Sequence, residues 1–438
     1  MVEDATRQPL PERAYIGGLV LAALIGVPVA IAATAFLSVV HDLEHWIWVS
    51  VPDSGGWSEP PGWYVVVVPV VGALLVAAAL RLPGHGGHSA IDGMSLDAPS
   101  LVALPSVLLA AIATLSFGMV LGPEAPLIAL GLSLGAFAAR LVKAVETGTP
   151  IIALAGGFAA IASILGGPVV AAFMLFELVA ASGTVPANKI SRLLLPGFVA
   201  AGTGALVFLG INDWRGIHLD SLTLPPLPDY PTVQLVDVAW SIPLAAAIAV
   251  VVALCRRGAK DVAAAAARRP DVVLVAGGAA VGLLAVLFRA VSDRPAELLL
   301  FSGQNTLPQV IAEGSAGVLV ALILLKGVAY AISLGAGFRG GPIFPAITLG
   351  VAGGVLASHV LPGLDLTPAV VAGLAAGGAA GLSLPFFGAL IAVVLVGPAS
   401  SDSIPIAIVA AAVAWLVTLA VARPAPAREG SDARAGGR

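Results

Sequence analysis

Apolar runs constrain this chain more than any other feature of its sequence. Several approach the length of about 20 residues that an α-helix needs to cross a bilayer, and the mean hydropathy is +1.02. These runs are 64–80, 190–210, 272–290 and 403–422. Shorter apolar segments, interrupted or bounded by glycine or proline, lie at 103–118, 168–182 and 385–396. The sequence predicts an all-α polytopic membrane protein with broken and re-entrant helices.

Two stretches of the sequence resemble each other. "GMVLGPEAPLIALG" (118–131) and "GFRGGPIFPAITLG" (337–350) agree at seven of fourteen positions, and their Gly-Pro pairs are 219 positions apart. Weaker similarity between 149–168 and 367–385 continues the alignment. Repeated halves are common in transporter folds. The predicted division is repeat one at about 15–210, a linker at 211–238 and repeat two at about 239–422.

Charged residues predict the orientation of the two repeats. The segment 255–271 carries five Lys/Arg against two Asp, so the positive-inside rule makes it cytoplasmic, together with the N-terminal segment 1–14 and the tail 423–438. The proline-rich, acidic linker 211–238 is separated from 255–271 by a single apolar run and is therefore extracellular. The repeats then have inverted topology, and the polar tail is expected to be disordered.

The Gly122-Pro123 and Gly341-Pro342 pairs are typical of helix starts, because proline in the first turn loses no hydrogen bond. Free N–H groups at helix starts carry partial positive charge, and in an inverted repeat two such ends can meet and bind an anion. Glu124 lies in the first of them, and a carboxylate at membrane depth is costly unless it has a function. We interpret it as a tethered anion that competes with a transported one. The alternative is an ordinary helix cap at the lipid headgroups.

The residues around Glu124 resemble the gating segment of the CLC chloride channels and chloride/proton exchangers, whose pattern is G-(K/R)-E-G-P. "GGPIFPAITLG" is similar to the family's G-x-F-x-P segment, and "GHGGHSAIDG" (84–93) lies at the place of its G-S-G-I-P motif. The resemblance extends over about 15–420. It implies a CLC protein of the bacterial type, which lacks cytoplasmic regulatory domains. Such a protein would be a homodimer in the cell membrane. Each subunit would have its own pathway for chloride or a similar small anion, gated by Glu124.

The resemblance also implies a set of site residues. The expected anion contacts are the backbone amides of Glu124, Ala125, Ile343 and Phe344, with Gly86 and Gly87 on the cytoplasmic side. The glycines and prolines that form the two motifs are Gly122, Pro123, Pro126, Gly341, Pro342 and Pro345.

Several positions depart from the family pattern. Pro123 stands at the position of the basic residue, and Ala125 at that of the glycine that follows the glutamate. Gly86 falls where the family has its central serine, and Ile343 takes the position of the phenylalanine. No tyrosine occurs near Ser400, where the family has one. Chloride selectivity is therefore an expectation from the family alone.

Proton coupling is a separate question, because family exchangers carry two adjacent glutamates of which the later passes protons toward the gate. In "MLFELV" Glu177 matches the earlier glutamate and Leu178 the later. A leucine cannot carry a proton, so we expect anion movement that is channel-like or loosely coupled. Glu177 would then line the vestibule or a proton path. A chloride/proton antiporter is the alternative.

Other functional classes have less support. "HDLEH" matches the H-x-x-E-H zinc-protease signature with His41, Glu44 and His45, and His85 or His88 would be a third ligand. The motif lies at the polar end of an apolar helix, where such residues are ordinary, so we expect no enzyme, metal or cofactor. No basic stretch is interleaved with aromatics as in nucleic-acid-binding proteins. Cys255 is the single cysteine, which excludes an intramolecular disulfide.

Overall fold

The protein is a bundle of α-helices. A computed structural model describes residues 12–142, 149–162, 164–165, 167–183, 187–215, 224–397 and 402–422. Within these ranges the helices of the first half are α1 (Glu12–His45), α2 (Val51–Ser54), α3 (Gly62–Ala79), α4 (Leu104–Leu115), α5 (Glu124–Leu141), α6 (Thr149–Ala162), α7 (Pro168–Ser182) and α8 (Ala187–Arg215). Those of the second half are α9 (Leu235–Ala266), α10 (Pro270–Ser292), α11 (Leu307–Ile311), α12 (Ala316–Gly335), α13 (Ile343–Val360), α14 (Leu366–Leu382), α15 (Pro385–Val396) and α16 (Ile404–Ala422).

The predicted membrane character is confirmed. Eight helical segments of the described chain are long and apolar enough to cross a membrane: Tyr15–Ser54, Gly62–Ala79, Glu124–Leu141, Leu235–Ala266, Pro270–Ser292, Ala316–Gly335, Ile343–Val360 and Ile404–Ala422. The short predicted segments contain α4, α7 and α15, which are apolar helices too short to span. Residues 1–11, 216–223 and 423–438, which belong to the predicted N-terminal segment, linker and tail, lie outside the described residues, as does Ser400.

Small residues bring two helices into close contact in each half, at equivalent positions. A methyl group added to Gly131 on α5 would overlap the carbonyl oxygen of Gly156 on α6. The same relationship holds between Gly350 on α13 and Gly373 on α14. Gly131 and Gly350 are 219 positions apart, the offset of the Gly-Pro pairs. Backbones in a membrane protein approach this closely only where side chains are absent, so the repeat in the sequence corresponds to a repeated packing contact.

The two faces of the bundle can be told apart from the loops. α9 ends at Ala266 and α10 begins at Pro270, so the arginines between them lie in a short turn at one face. Arg81, just after α3, forms a 3.0 Å ion pair with Asp271 at the same face. We refer to it as the basic face. The segment 293–315 follows the other end of α10 and lies on the opposite face, the far face.

Candidate functional site

The two Gly-Pro motifs meet in the structure. α5 begins at Glu124 and α13 at Ile343, each directly after a proline. The segments before them pair as a short antiparallel bridge, in which the N–H of Gly122 donates to the carbonyl of Gly341 at 2.8 Å and the N–H of Gly341 donates back at 2.7 Å. The predicted meeting of two helix N-termini is therefore present, with the two polypeptide halves joined through their main chains.

The Glu124 carboxylate lies across this bridge and is fully buried. Its Oε1 accepts a 2.6 Å hydrogen bond from the N–H of Ile343, the first residue of α13. Its Oε2 is buried without a hydrogen-bond partner among the described residues. A Cβ on either Gly122 or Gly341 would overlap the carboxylate. The glycines of the motif thus leave the space that the Glu124 side chain fills.

Hydroxyl groups hold the extended segments that precede the motifs. The N–H of Val120 donates to Oγ of Ser333 on α12, and the N–H of Arg339 donates to Oγ1 of Thr114 on α4, both at 3.1 Å. Thr114 and Ser333 are 219 positions apart, and so are Val120 and Arg339. Each half therefore holds the extended segment of the other half through an equivalent hydrogen bond. The side chain of Tyr330 adds a further contact, donating to the carbonyl of Pro342 at 2.8 Å.

Two cavities approach Glu124 from opposite faces. The basic-face cavity, of about 360 Å³, is lined by residues that include Gly87, His88, Ala125 and Gly340. The far-face cavity, of about 320 Å³, is lined by residues that include Glu44, Leu121, Pro123 and Glu297. Because Pro123 lines one cavity and Ala125 the other, Glu124 lies between them. The buried Glu124 carboxylate therefore separates a cavity that opens toward one face from a cavity that opens toward the other.

Comparison with known proteins agrees with this geometry. The sequence profile described as voltage gated chloride channel matches residues 72–419. The chain belongs to this CLC family. Putative ion-transport protein YfeO of Salmonella newport and of Salmonella typhimurium is 29% identical over 350 residues, covering 77% of this chain and 80% of the relative.

Solved CLC structures share the fold. A slow cyanobacterial Cl⁻/H⁺ antiporter superposes with a TM-score of 0.74 at 18% identity, covering 95% of this chain and 96% of its own. A CLC-type fluoride/proton antiporter superposes with a TM-score of 0.69 at 19% identity, covering 94% and 97%. The predicted CLC-like architecture is therefore confirmed.

The predicted site residues are only partly brought together. Ile343 binds the Glu124 carboxylate, while Gly87 and Ala125 line the basic-face cavity. Gly86 uses its N–H in another way, donating to Oγ of Ser106 at 3.2 Å. Phe344 places its ring against Gly122. Of the expected anion contacts, Ile343 and Phe344 therefore lie at the bridge, Gly87 and Ala125 line the cavity, and the Gly86 amide is already engaged.

Glu177 has an unexpected pair of partners. Its two carboxylate oxygens accept hydrogen bonds from the N–H groups of Phe386 at 3.0 Å and Phe387 at 2.7 Å. These residues form the first turn of α15, so Glu177 caps that helix from α7 in the other half of the chain. Pro385 signals a helix start in the sequence, but nothing in the sequence indicates which acid reaches it.

Lys326 was not singled out by sequence reasoning, although it is a cation within the spanning helix α12. Its side chain is fully buried. Nζ lies 2.8–3.3 Å from four main-chain carbonyl oxygens on the far-face segment, those of Leu298, Leu299, Leu300 and Phe301, which share its three N–H donors. Phe301 lines the far-face cavity. Lys326 therefore fixes the wall of that cavity.

The residues of the H-x-x-E-H motif lie apart from His88, one of the two candidates for a third metal ligand. His41, Glu44 and His45 line the far-face cavity, whereas His88 lines the basic-face cavity. Within the described ranges, no three His, Cys, Asp or Glu side chains come close enough together to hold a metal ion. These three residues are better described as polar lining at the end of α1.

Proposed function

We propose that this protein moves chloride or a similar small anion across the cell membrane, with Glu124 as the gate. The observation that supports this proposal is the hydrogen bond from the Ile343 N–H to the Glu124 carboxylate. An anion that binds at the N-terminus of α13 needs the same N–H, so carboxylate and anion compete for it. Protonation or displacement of Glu124 opens the way between the two cavities.

The proposed transport is channel-like or loosely coupled to protons. Leu178 occupies the position at which family exchangers carry the later of two glutamates. Glu177 beside it already binds two N–H groups of α15. A carboxylate that is held as a helix cap loses one of these two hydrogen bonds, or weakens it, each time it accepts a proton, which makes it a poor relay. Protons would then reach Glu124 mainly from the far face.

A chloride/proton antiporter is the second candidate. Two of the similar structures are described as proton antiporters, one for chloride and one for fluoride. The far-face cavity is also lined by His41, Glu44 and Glu297, whose side chains are of the types that serve as proton donors and acceptors. Water in the basic-face cavity would have to supply the inner half of such a path.

Reconstitution in liposomes tests both candidates. A chloride gradient is imposed, chloride efflux is followed with an electrode, and proton movement is recorded with an internal pH dye. The proposal expects chloride efflux without sustained uphill proton movement. Proton transport at a fixed ratio to chloride would establish the antiporter instead, and the absence of anion flux in both assays would contradict the proposal as a whole.

We also propose a homodimer with both chain termini in the cytoplasm. The family resemblance supports the dimer, and the five basic residues between 255 and 271 support the orientation. Single cysteines introduced at the exposed Lys260 and Leu235 in a Cys255→Ala background can be labelled in intact cells. Labelling of the Lys260 position by a reagent outside the cell would contradict the proposed orientation and indicate the opposite one. Mass measurement in detergent tests the dimer.

A further inference from the structure

The described residues include an arginine without a counter-ion beside the basic-face cavity. Arg339 directly precedes Gly340 and Gly341, and Gly340 lines that cavity. Its backbone is fixed by the hydrogen bond to Thr114. Within the described ranges it forms no ion pair, although Asp92 is near enough to interact with its charge. A partly buried cation is costly without a partner, so a partner has to come from elsewhere.

The Arg339 side chain reaches the loop that contains Gly86. Nη2 donates to the carbonyl of His85 at 3.3 Å, which ties the guanidinium to this loop. Nε lies 3.0 Å from the position that a Cβ on Gly86 would take. Gly86 has a φ of 72°, a conformation that suits glycine. The missing side chain at Gly86 therefore leaves room for the arginine.

One donor of Arg339 is unused. Nε is buried and has no hydrogen-bond partner among the described residues. A buried N–H on a cation that lacks an acceptor loses its hydration without compensation. Gly87 and Gly340, the sequence neighbours of Gly86 and Arg339, both line the cavity. An anion in the cavity would supply the acceptor that Nε lacks.

We propose that Arg339 binds the transported anion at the basic-face side of the gate, with Nε–H as the donor. This inference rests on the proposed anion transport and adds a binding residue to it. Pro123 and Gly86 stand where the family carries a basic residue and a serine, and Arg339 of the other half supplies a cation next to the vacant serine position. The ligand is a small monovalent anion such as chloride. The guanidinium suits it because it is weakly hydrated and always charged.

Chloride titration by calorimetry in detergent tests the proposal. Arg339→Gln removes the charge and Arg339→Lys retains it without Nε. Arg81→Gln is the matched control, because it removes an exposed arginine of the same face. We expect Arg339→Gln to weaken chloride binding by about tenfold or more, Arg339→Lys to weaken it less, and Arg81→Gln to leave it within about twofold of wild type. Equal affinities of Arg339→Gln and Arg81→Gln would overturn the inference.

A second measurement uses the unaltered protein and so does not depend on how the variants fold. In crystals grown with bromide, anomalous density is expected within hydrogen-bonding distance of Arg339 Nε. Bromide bound at Ile343 but absent beside Arg339 would overturn the inference and leave the proposed function intact. A wild-type protein that neither binds chloride nor releases it from liposomes would overturn both.

Discussion

The main-chain N–H of Ile343 donates a 2.6 Å hydrogen bond to Oε1 of Glu124, a residue 219 positions earlier in the chain. The two residues are the first of α13 and α5, so the proposed gate consists of one helix start whose side chain occupies the other. The carboxylate is attracted to this place by partial positive charge of the N-terminus, as a free anion would be. The first prediction follows from that competition.

Replacing Glu124 removes the competing carboxylate. In Glu124→Ala the Ile343 N–H is free, so chloride is expected to bind more tightly by about tenfold, and efflux from liposomes should lose most of its pH dependence. Glu124→Gln keeps an acceptor oxygen but no charge, so its chloride affinity should lie between those of wild type and Glu124→Ala. Calorimetry and efflux at several pH values measure these effects. Glu59→Gln, at an exposed position, is the control, and an unchanged pH profile in Glu124→Ala would contradict the gate.

The Glu124 side chain occupies the space in which a Cβ on Gly341 would lie. A Cβ on Gly341 would meet three atoms of the Glu124 side chain, so Gly341→Ala is expected to lower thermal stability and displace the carboxylate. In a Glu124→Ala background those atoms are gone, and the cost of Gly341→Ala should fall by about 1 kcal/mol or more. Thermal unfolding of the two single variants and the double variant measures this coupling.

Gly202→Ala provides the control for this cycle, because a Cβ at Gly202 meets no atom within 4 Å. Its effect should be the same in both backgrounds. Additive effects of Gly341→Ala and Glu124→Ala would show that the Glu124 carboxylate does not occupy the space beside Gly341 in the folded protein.

Glu177 is expected to stabilise the fold without determining proton coupling. Glu177→Ala leaves the N–H groups of Phe386 and Phe387 without acceptors, which should cost about 1–2 kcal/mol. Glu177→Gln retains one acceptor oxygen and should cost less. The ratio of protons to chloride in liposomes is expected to be the same in both variants and in wild type. Loss of uphill proton movement in Glu177→Gln would instead identify this acid as a relay.

Lys326 is expected to stabilise the 298–301 segment at the far-face cavity. Lys326→Met removes the three N–H donors that these four carbonyls share, so a loss of several degrees in melting temperature is expected. Lys260→Met, at an exposed site on α9, is the control. A melting temperature equal to that of the control would mean that water replaces the lysine at these carbonyls.

The ion pair of Arg294 and Glu313 predicts a pH dependence of stability. The hydrogen bond from Arg294 at 2.8 Å lowers the pKa of the Glu313 carboxyl below its ordinary value of 4.5. A carboxyl whose pKa is lower in the folded state stabilises the fold above the unfolded pKa, and the stabilisation is lost as the pH falls through the lower folded pKa. The difference in melting temperature between wild type and Glu313→Gln should therefore shrink from about pH 6 to about pH 3. A constant difference would contradict the linkage.

The parts of this fold that could be predicted are those that depend on local sequence. Apolar length predicted the spans, and the Gly-Pro pairs predicted the starts of α5 and α13 because proline has few tolerated places in a helix. The repeat offset made the meeting of the two starts foreseeable. Glu124 was recognisable because an acid among apolar residues is rare.

Contacts between distant segments could not be foreseen. The hydrogen bonds of Glu177 to α15 and of Lys326 to the far-face loop depend on helix rotation, which the sequence does not encode locally. Both residues look like ordinary polar interruptions of an apolar helix. Arg339 was part of the quoted repeat, yet its relation to Gly86 depends on two loops that are far apart in sequence.

The bridge between Gly122 and Gly341 has a consequence for biosynthesis. Ile343, whose N–H donates to the Glu124 carboxylate, is translated 219 codons after Glu124. Until then the nascent first half holds an ionisable group and open main-chain donors at membrane depth, where lipid offers no partner. A chain that terminates early retains this polar defect. The polar groups at this join therefore find their partners only after both halves of the chain have been made.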